Sequence, residues 1–151
     1  MLEDRPIERV RGEFVLSTDR RRLDVAAALA LLRTAFWAGA MRRDVLERSI
    51  ANSVCFAVYR RDELVGFARV VSDLATYAYV TDVVVADAYR GRGLGSWLAE
   101  AILAHPELQG LRRVALLTRG AAGLYQRYGF TSDTRDQTYL ERRPDAQSGP
   151  A

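Results

Sequence analysis

A glycine-rich turn stands between a β-rich run and an amphipathic helix in the second half of the chain. The turn reads Arg90-Gly91-Arg92-Gly93-Leu94-Gly95 and follows TYAYVTDVVVA, residues 76–86. After it, apolar residues recur at helical spacing from Leu94 to Ile102. Glycines let backbone N–H groups approach an anion closely, and a helix N-terminus carries partial positive charge. Because arginines in the turn add further charge for phosphate groups, the turn predicts a site for a phosphate-bearing ligand.

The other hydrophobic patterns place this turn late in an α/β chain. EFVLSTD, residues 13–19, predicts a first strand, and Val25, Leu29 and Leu32 predict a helix after it. A second short helix and a hairpin that turns at residues 60–63 follow. Residues 137–143 then predict a last edge strand. The order is β, α, α, a β meander and β–α–β–α–β, which predicts helices on a mixed sheet.

Length and composition fit a single globular domain. With 151 residues, 49% of them hydrophobic and 27% charged, the chain can bury about two-thirds of its unfolded surface. We expect a flexible lead-in over residues 1–12, the domain over 13–143 and a disordered tail over 144–151. No apolar run is long enough for a membrane span, and the lone Cys55 agrees with a reducing compartment. The sequence therefore predicts a cytoplasmic protein without a membrane partner.

Charge and metal-ligand content exclude two further classes of function. The net charge is only +3, and the basic residues, all arginine, are spread along the chain. Since no motif alternates basic and aromatic residues, we do not expect nucleic-acid binding. One cysteine and one histidine give no basis for a dedicated zinc site.

The turn alone leaves the phosphate ligand open. GRGLGS partly matches the dinucleotide-binding pattern, with Ser96 in the third position, and Arg119 could receive a 2′-phosphate. That pattern normally opens a domain at its first strand, whereas here it begins at residue 91. A P-loop is excluded, because no Gly-Lys-Ser/Thr follows the turn.

Two motifs in register resemble one family. Arg90-x-x-Gly93-x-Gly95 resembles the R/Q-x-x-G-x-G/A pyrophosphate loop of the GNAT N-acetyltransferase superfamily, and AAGLYQRYGF, residues 121–130, resembles its second signature. The resemblance covers residues 78–130. It implies an α/β (α+β) GNAT fold, with a mixed sheet of six to seven strands and about four helices. It also implies transfer of an acetyl group from acetyl-CoA to a primary amine, with no metal.

The resemblance assigns cofactor contacts mainly to the main chain. The strand before the loop would part from its neighbour, and the amides of Val83, Val84 and Val85 would bind the pantetheine arm and polarise the thioester carbonyl. Thr118 stands where the family often has an asparagine that contacts CoA. The pyrophosphate would be held by the amides of the loop and first helical turn: Arg90, Gly91, Arg92, Gly93, Leu94, Gly95 and Ser96.

Catalytic side chains are implied at two positions. Tyr125 matches the family tyrosine that assists departure of the CoA thiolate. Asp82, a carboxylate in an otherwise apolar strand, is a candidate general base, and a salt bridge with an arginine is the equal alternative. For the acceptor we expect contacts from four residues: Trp37, Tyr77, Tyr79 and Asp73.

Two rival functions remain open from the sequence. One is a CoA-binding sensor or partner module without turnover, and the other is a NADP-binding protein. Within the enzyme interpretation, the expected acceptor is a small-molecule amine. Residues 137–143 could also pair two copies of the chain into a homodimer.

Overall fold

The computed structural model describes residues 5–35 and 41–144, which form one mixed sheet with helices on both faces. The described strands are β1 (Glu8–Arg11), β2 (Phe14–Ser17), β3 (Val54–Arg60), β4 (Glu63–Ser72), β5 (Tyr77–Val85) and β6 (Arg113–Leu116). The described α-helices are α1 (Val25–Leu32), α2 (Arg43–Ala51), α3 (Leu94–Ala104) and α4 (Ala122–Gln126). Short 3₁₀ turns cover Asp87–Tyr89 and Pro106–Leu108. The predicted α/β class is confirmed.

The sheet runs in chain order from β1 to β6. Neighbouring strands are antiparallel from β1 through β5, whereas β6 is parallel to β5. A parallel pair needs a crossover connection, and α3 supplies it. The glycine-rich turn therefore lies where the chain leaves β5 for the crossover helix.

Two apolar clusters lie on opposite faces of the sheet, because alternate residues of β3 join different clusters. In the first, which we call the α3-side cluster, Phe56 of β3 packs with Trp97 and Leu98 of α3. In the second, the α1–α2-side cluster, Leu32 and Leu46 pack against strand residues that include Phe67. Burial of each such side chain contributes about 1.5–3 kcal/mol, so the sheet is held from both sides.

Local sequence explains where the first helix begins. The run VAAALALL is rich in alanine and leucine, which favour helix. Asp24 caps it, because its Oδ1 accepts the backbone N–H of Ala26 at 2.9 Å.

Two sequence expectations are wrong at the ends of the domain. The lead-in predicted over residues 1–12 contains β1, which pairs with β2. Gly12, with φ +61°, turns the chain between these strands. The edge strand predicted over residues 137–143 is absent, since this described segment has no strand pairing. Residues 145–151, most of the expected tail, lie outside the described residues, as do the first four.

No helix within residues 5–35 and 41–144 is long and apolar enough to cross a membrane.

Candidate active site

An opening separates β5 from β6 along the second half of β5. The two strands pair only over Tyr77–Val80 and Arg113–Leu116, whereas β5 continues beside β4 to Val85. Beyond β5, the N–H of Ala86 donates to the carbonyl of Val65 in β4 at 2.8 Å. Because successive peptide groups of a strand alternate in direction, the N–H groups of Val83 and Val85 face the opening and that of Val84 faces β4. Two backbone donors thus point to one side, as an oxyanion-binding site requires.

A β-bulge lies immediately before these donors. Ala68 of β4 stands opposite two residues of β5, Asp82 and Val83, where the register shifts. Asp82 adopts φ +54°, a left-handed conformation that Asp tolerates better than most residues.

The Asp82 carboxylate is buried in an ion pair. Arg69 Nε donates to Asp82 Oδ2 at 2.8 Å, and the two side chains are only 15% and 6% exposed. An Nη1 hydrogen of Arg69 is donated to Ser53 Oγ at 3.1 Å. The sequence left Asp82 either as a general base or as the partner of an arginine in a salt bridge, and the structure contains the salt bridge.

The glycine-rich loop leads from β5 into α3. Gly91 and Gly93 have φ of +77° and +76°, and a Cβ at either position would meet no protein atom within 4 Å. The N–H of Trp97 donates to the carbonyl of Gly93 at the start of α3. The N–H groups of Leu94, Gly95 and Ser96 precede that bond and have no acceptor within the helix. The loop therefore offers amides beside open space, which fits the pyrophosphate of a CoA molecule.

The two loop arginines point toward protein carboxylates. Arg90 Nε lies 3.1 Å from Asp87 Oδ1. Arg92 Nη1 lies 3.5 Å from Glu13 Oε1, and its guanidinium sits 5.4 Å from the centre of the Tyr89 ring. Both pairs are solvent-exposed, so each is worth less than about 1 kcal/mol. A bound phosphate group can therefore compete for these arginines at little cost.

The second signature forms α4 beside the start of α3. A Cβ on Gly95 would lie 3.5 Å from Leu124 of α4, which brings this helix against the glycine-rich loop. The Tyr125 ring meets Phe130 edge to face with centroids 5.7 Å apart. Burial raises the pKa of Tyr125, and among the described residues its hydroxyl has no hydrogen-bond partner. The phenol thus stays protonated at neutral pH and is available as a donor.

The expected acceptor residues do not all meet. Tyr77 (41% exposed) and the half-buried Tyr79 alternate with Ala78, so they share the face of β5 away from the α3-side cluster. Val71 of β4 stands opposite Tyr79 and is also exposed. Trp37 lies outside the described residues. Thr118 is exposed two residues beyond β6, on the far side of the opening.

The Asp73 carboxylate accepts hydrogen bonds from its own loop. Its oxygens accept the Thr76 hydroxyl at 2.6 Å and the backbone N–H groups of Ala75, Thr76 and Tyr77. These bonds, led by that from the Thr76 hydroxyl, hold the pKa of Asp73 well below its ordinary value. The side chain thus shapes the connection between β4 and β5, which differs from the acceptor contact expected from the sequence.

Other reactive groups offer little chemistry. Burial raises the pKa of Cys55 to about 12, so the thiol is a poor nucleophile. In the part of the chain that the structure describes, no three His, Cys, Asp or Glu side chains come together as metal ligands.

Sequence reasoning missed the partners of Asp82. The sequence indicated an arginine as an alternative partner of Asp82 but did not identify Arg69, and Ser53 was not considered. An arginine and an aspartate on neighbouring apolar strands are a signal for a buried pair, because an unpaired buried charge is costly.

Comparison with known proteins agrees with this geometry. The family model described as an acetyltransferase (GNAT) domain matches residues 51–132. The chain belongs to the GNAT acetyltransferase family. A Gibberella zeae protein named for acetyltransferase activity is 31% identical, with 87% of this chain and 86% of that protein covered.

Solved structures extend the likeness to the whole fold. A GNAT-family structure from Xanthomonas campestris pv. campestris is 41% identical, has a TM-score of 0.82, and covers 89% of this chain and 96% of its own. An acetyltransferase from Clostridium acetobutylicum, solved with acetyl-CoA, has a TM-score of 0.62 at 13% identity and covers 80% of this chain and 91% of its own. The latter likeness concerns the fold alone. The protein is thus a GNAT acetyltransferase, and enzymes of this family use acetyl-CoA.

Proposed function

We propose that this GNAT enzyme transfers the acetyl group of acetyl-CoA to the primary amine of a small molecule, by direct attack in a ternary complex. The observation that carries the proposal is the continuity of the site. The edge of β5 that β6 leaves open, from Thr81 to Val85, leads through the short 3₁₀ turn Asp87–Tyr89 to the glycine-rich loop at the start of α3. An extended pantetheine arm and its pyrophosphate need this pairing of an unpaired strand edge with a phosphate cradle.

The residues present fit the donor in separate roles. Amides from Gly91 to Ser96 would hold the pyrophosphate; the expected contact from the Arg90 amide is corrected, because that N–H donates to the carbonyl of Asp87 at 3.3 Å. The N–H groups of Val83 and Val85 would polarise the thioester carbonyl. Acetyl-CoA supplies the activated acyl carbon, which the amine nitrogen attacks as the carbon–sulfur bond breaks. Tyr125 would then donate its hydroxyl proton, or a strong hydrogen bond, to the departing sulfur. The attacking nitrogen loses its own proton to water or a nearby base.

A small acceptor is supported by a surface patch on β4 and on the first half of β5, which precedes the opening. Val71 and Tyr77 are exposed there, and Tyr79 is half-buried next to them. These three side chains make a compact apolar and aromatic patch, which suits the body of a small amine.

We also propose that two copies of the chain associate through the segment 137–143. Leu140 is 84% exposed and Tyr139 is 60% exposed in this segment, which forms no strand within its own chain. The outer edge of β6 has no strand beside it among the described residues. An unpaired strand edge and a segment with two exposed apolar side chains can cover one another across a dimer.

The experiment that tests the enzymatic proposal is a screen of small primary amines. Release of the CoA thiol is followed with a thiol reagent, and the acetylated amine is identified by mass spectrometry. We expect at least one amine to give thiol and acetyl-amine in equal amounts. Binding of acetyl-CoA without turnover of any amine would favour the CoA-binding module instead. Binding of NADPH instead of acetyl-CoA would favour the alternative of a NADP-binding protein.

A further inference from the structure

The ion pair between Arg69 and Asp82 is largely buried at both ends, with the two side chains 15% and 6% exposed. Ser53, at the junction of α2 and β3, ties Arg69 to a third element. Its own hydroxyl donates to the carbonyl of Ser49 at 2.6 Å. The three side chains form a chain of contacts from α2 through β4 to β5, which we call the 53–69–82 network. Removing one partner of such a buried pair leaves an uncompensated charge and is costly.

The network ends on the one residue that sets the direction of the β5 donors. Upstream of Asp82, Ala78 and Val80 belong to the α3-side cluster; downstream, Val83 and Val85 pack against that cluster and Val84 joins the other. The alternation of β5 thus changes phase at the bulge. A strand without the extra residue would slip by one position, which turns every following residue to the opposite face and edge. The N–H groups of Val83 and Val85 would then face β4 instead of the opening.

A left-handed backbone at a non-glycine residue is uphill and persists only where its surroundings hold it. At Asp82 the carboxylate stabilises this conformation, because its Oδ2 lies 2.8 Å from Nε of Arg69 on the neighbouring strand. The guanidinium is in turn fixed by Ser53. Ser53 and Arg69 therefore fix the Asp82 side chain, and the backbone of Asp82 in turn sets the orientation of the Val83 and Val85 N–H groups.

We infer that Arg69, Ser53 and Asp82 are positioning residues, which hold the β5 bulge so that the N–H groups of Val83 and Val85 polarise the thioester carbonyl. Asp82 acts here through the backbone and is not the general base. The inference rests on the proposed function, since it names what the bulge is held for.

The test measures carbonyl polarisation directly. Infrared difference spectra are recorded with acetyl-CoA labelled with carbon-13 at the thioester carbonyl, bound to the wild-type protein and to variants without any amine. A strong hydrogen bond to the carbonyl lowers its stretching frequency relative to free acetyl-CoA. We expect the lowered frequency in the wild type. In Ser53→Ala and in the double variant Arg69→Gln with Asp82→Asn, we expect a return toward the free value.

Kinetics on the same variants separate positioning from general weakening. We expect kcat to fall about threefold to tenfold in Ser53→Ala and on the order of 10²-fold in the double variant, the size seen when one oxyanion donor is lost. Affinity for CoA, which lacks the acetyl carbonyl, should stay within about twofold. The double variant replaces the charged pair by two neutral amides, so it avoids an unpaired buried charge. Ser49→Ala is the matched control, because its hydroxyl bonds within α2 to Leu46 and not to Arg69; it should behave as wild type.

Each alternative gives a different result. Variants that lose turnover at an unchanged carbonyl frequency would make Asp82 a base and overturn the inference. Wild-type frequency and wild-type kcat in both variants would overturn it as well. Failure of the wild-type protein to bind acetyl-CoA would instead contradict the proposed function itself.

Discussion

Tyr125 is the side chain on which the proposed chemistry of the leaving group depends. Its burial keeps the phenol protonated, and its hydroxyl has no partner among the described residues. A free cysteine thiol has a pKa near 8.5 and a phenol near 10, so the tyrosine is a modest acid for a thiolate. Stabilisation of developing negative charge on sulfur is therefore the larger part of its expected role.

We expect Tyr125→Phe to lower kcat on the order of 10²-fold, since general-acid assistance in the transition state is lost. The dissociation constant for acetyl-CoA, measured by calorimetry, should change little. Tyr128→Phe is the matched control, because the Tyr128 hydroxyl bonds to Glu100 at 3.0 Å on α3 and has no proposed role. A large loss of affinity at normal turnover in the Tyr125 variant would contradict the leaving-group role.

Asp73 gives a residue-scale prediction about stability. Bonds from its own loop hold the pKa of its folded carboxyl below the unfolded value of about 3.9. The unfolded chain therefore takes up the proton first, and the stabilisation is present above about pH 4 and is lost as the pH falls below it. We expect Asp73→Asn to lose less stability than wild type between about pH 5 and about pH 3, as measured by urea unfolding.

Asparagine suits this comparison because its Oδ1 can still accept from the three backbone donors, while its amide removes the charge and the acceptor of the Thr76 hydroxyl. Thr76→Val, which removes the strongest single hydrogen bond, should fall between the two proteins. Equal loss of stability in wild type and Asp73→Asn would show that Asp73 contributes nothing to the acid transition.

At the scale of elements, the glycine-rich loop combines two demands on one residue type. Gly91 and Gly93 both need a left-handed backbone, and the space where a Cβ would stand is open. An added side chain is thus strained by φ whatever its size, and it also fills the region that a pyrophosphate would occupy. A suitable control is a glycine that also has a positive φ but lies outside the proposed pyrophosphate site.

Gly110 provides that control, since its φ is +70° and a Cβ there also meets nothing within 4 Å. We expect Gly93→Val and Gly110→Val to lower the thermal midpoint by similar amounts. Only Gly93→Val should abolish acetyl-CoA binding, measured by calorimetry on folded protein. Tight binding by folded Gly93→Val would remove the loop from the cofactor site.

Hydrophobic periodicity was sufficient to predict β2 through β5 and the helices α1 to α3, because each carries buried residues. β6 and α4 were also predicted, although neither contains a fully buried residue. Periodicity was insufficient for β1, whose four residues are all exposed and whose pairing depends on β2. The turn at Gly12 was the available signal. The edge strand expected over residues 137–143 does not form, because this segment pairs with no strand of the sheet.

Strand register limits how much of the candidate site could be predicted from the sequence. Loop glycines, Tyr125 and the β5 valines could be placed from motifs along the chain. The pairing of Asp82 with Arg69 could not, because the irregularity between Phe67 and Arg69 shifts which residues of β4 and β5 face each other. Such bulges depend on contacts between distant segments rather than on local propensity.

At the scale of the whole molecule, the proposed association depends on Tyr139 and Leu140, which are exposed in the segment 137–143. We expect size-exclusion chromatography with light scattering to give the mass of two chains, and Leu140→Asp to shift it to one. Val10→Asp is a control of similar exposure (68%) on the opposite edge of the sheet, and it should remain dimeric. A wild-type protein that is monomeric at all concentrations would contradict pairing through this segment.

Binding of acetyl-CoA in the opening between β5 and β6, with the glycine-rich loop at its end, underlies the proposed function. It is tested most directly by thermal unfolding of the wild-type protein with acetyl-CoA, CoA and NADPH in parallel. At a hundredfold excess over Kd, one-site binding stabilises by about 2.7 kcal/mol, a rise of about 5–10 °C for a chain of this size. We expect that rise with acetyl-CoA and with CoA, and none with NADPH. No rise with acetyl-CoA, or a rise with NADPH alone, would contradict the account of this site.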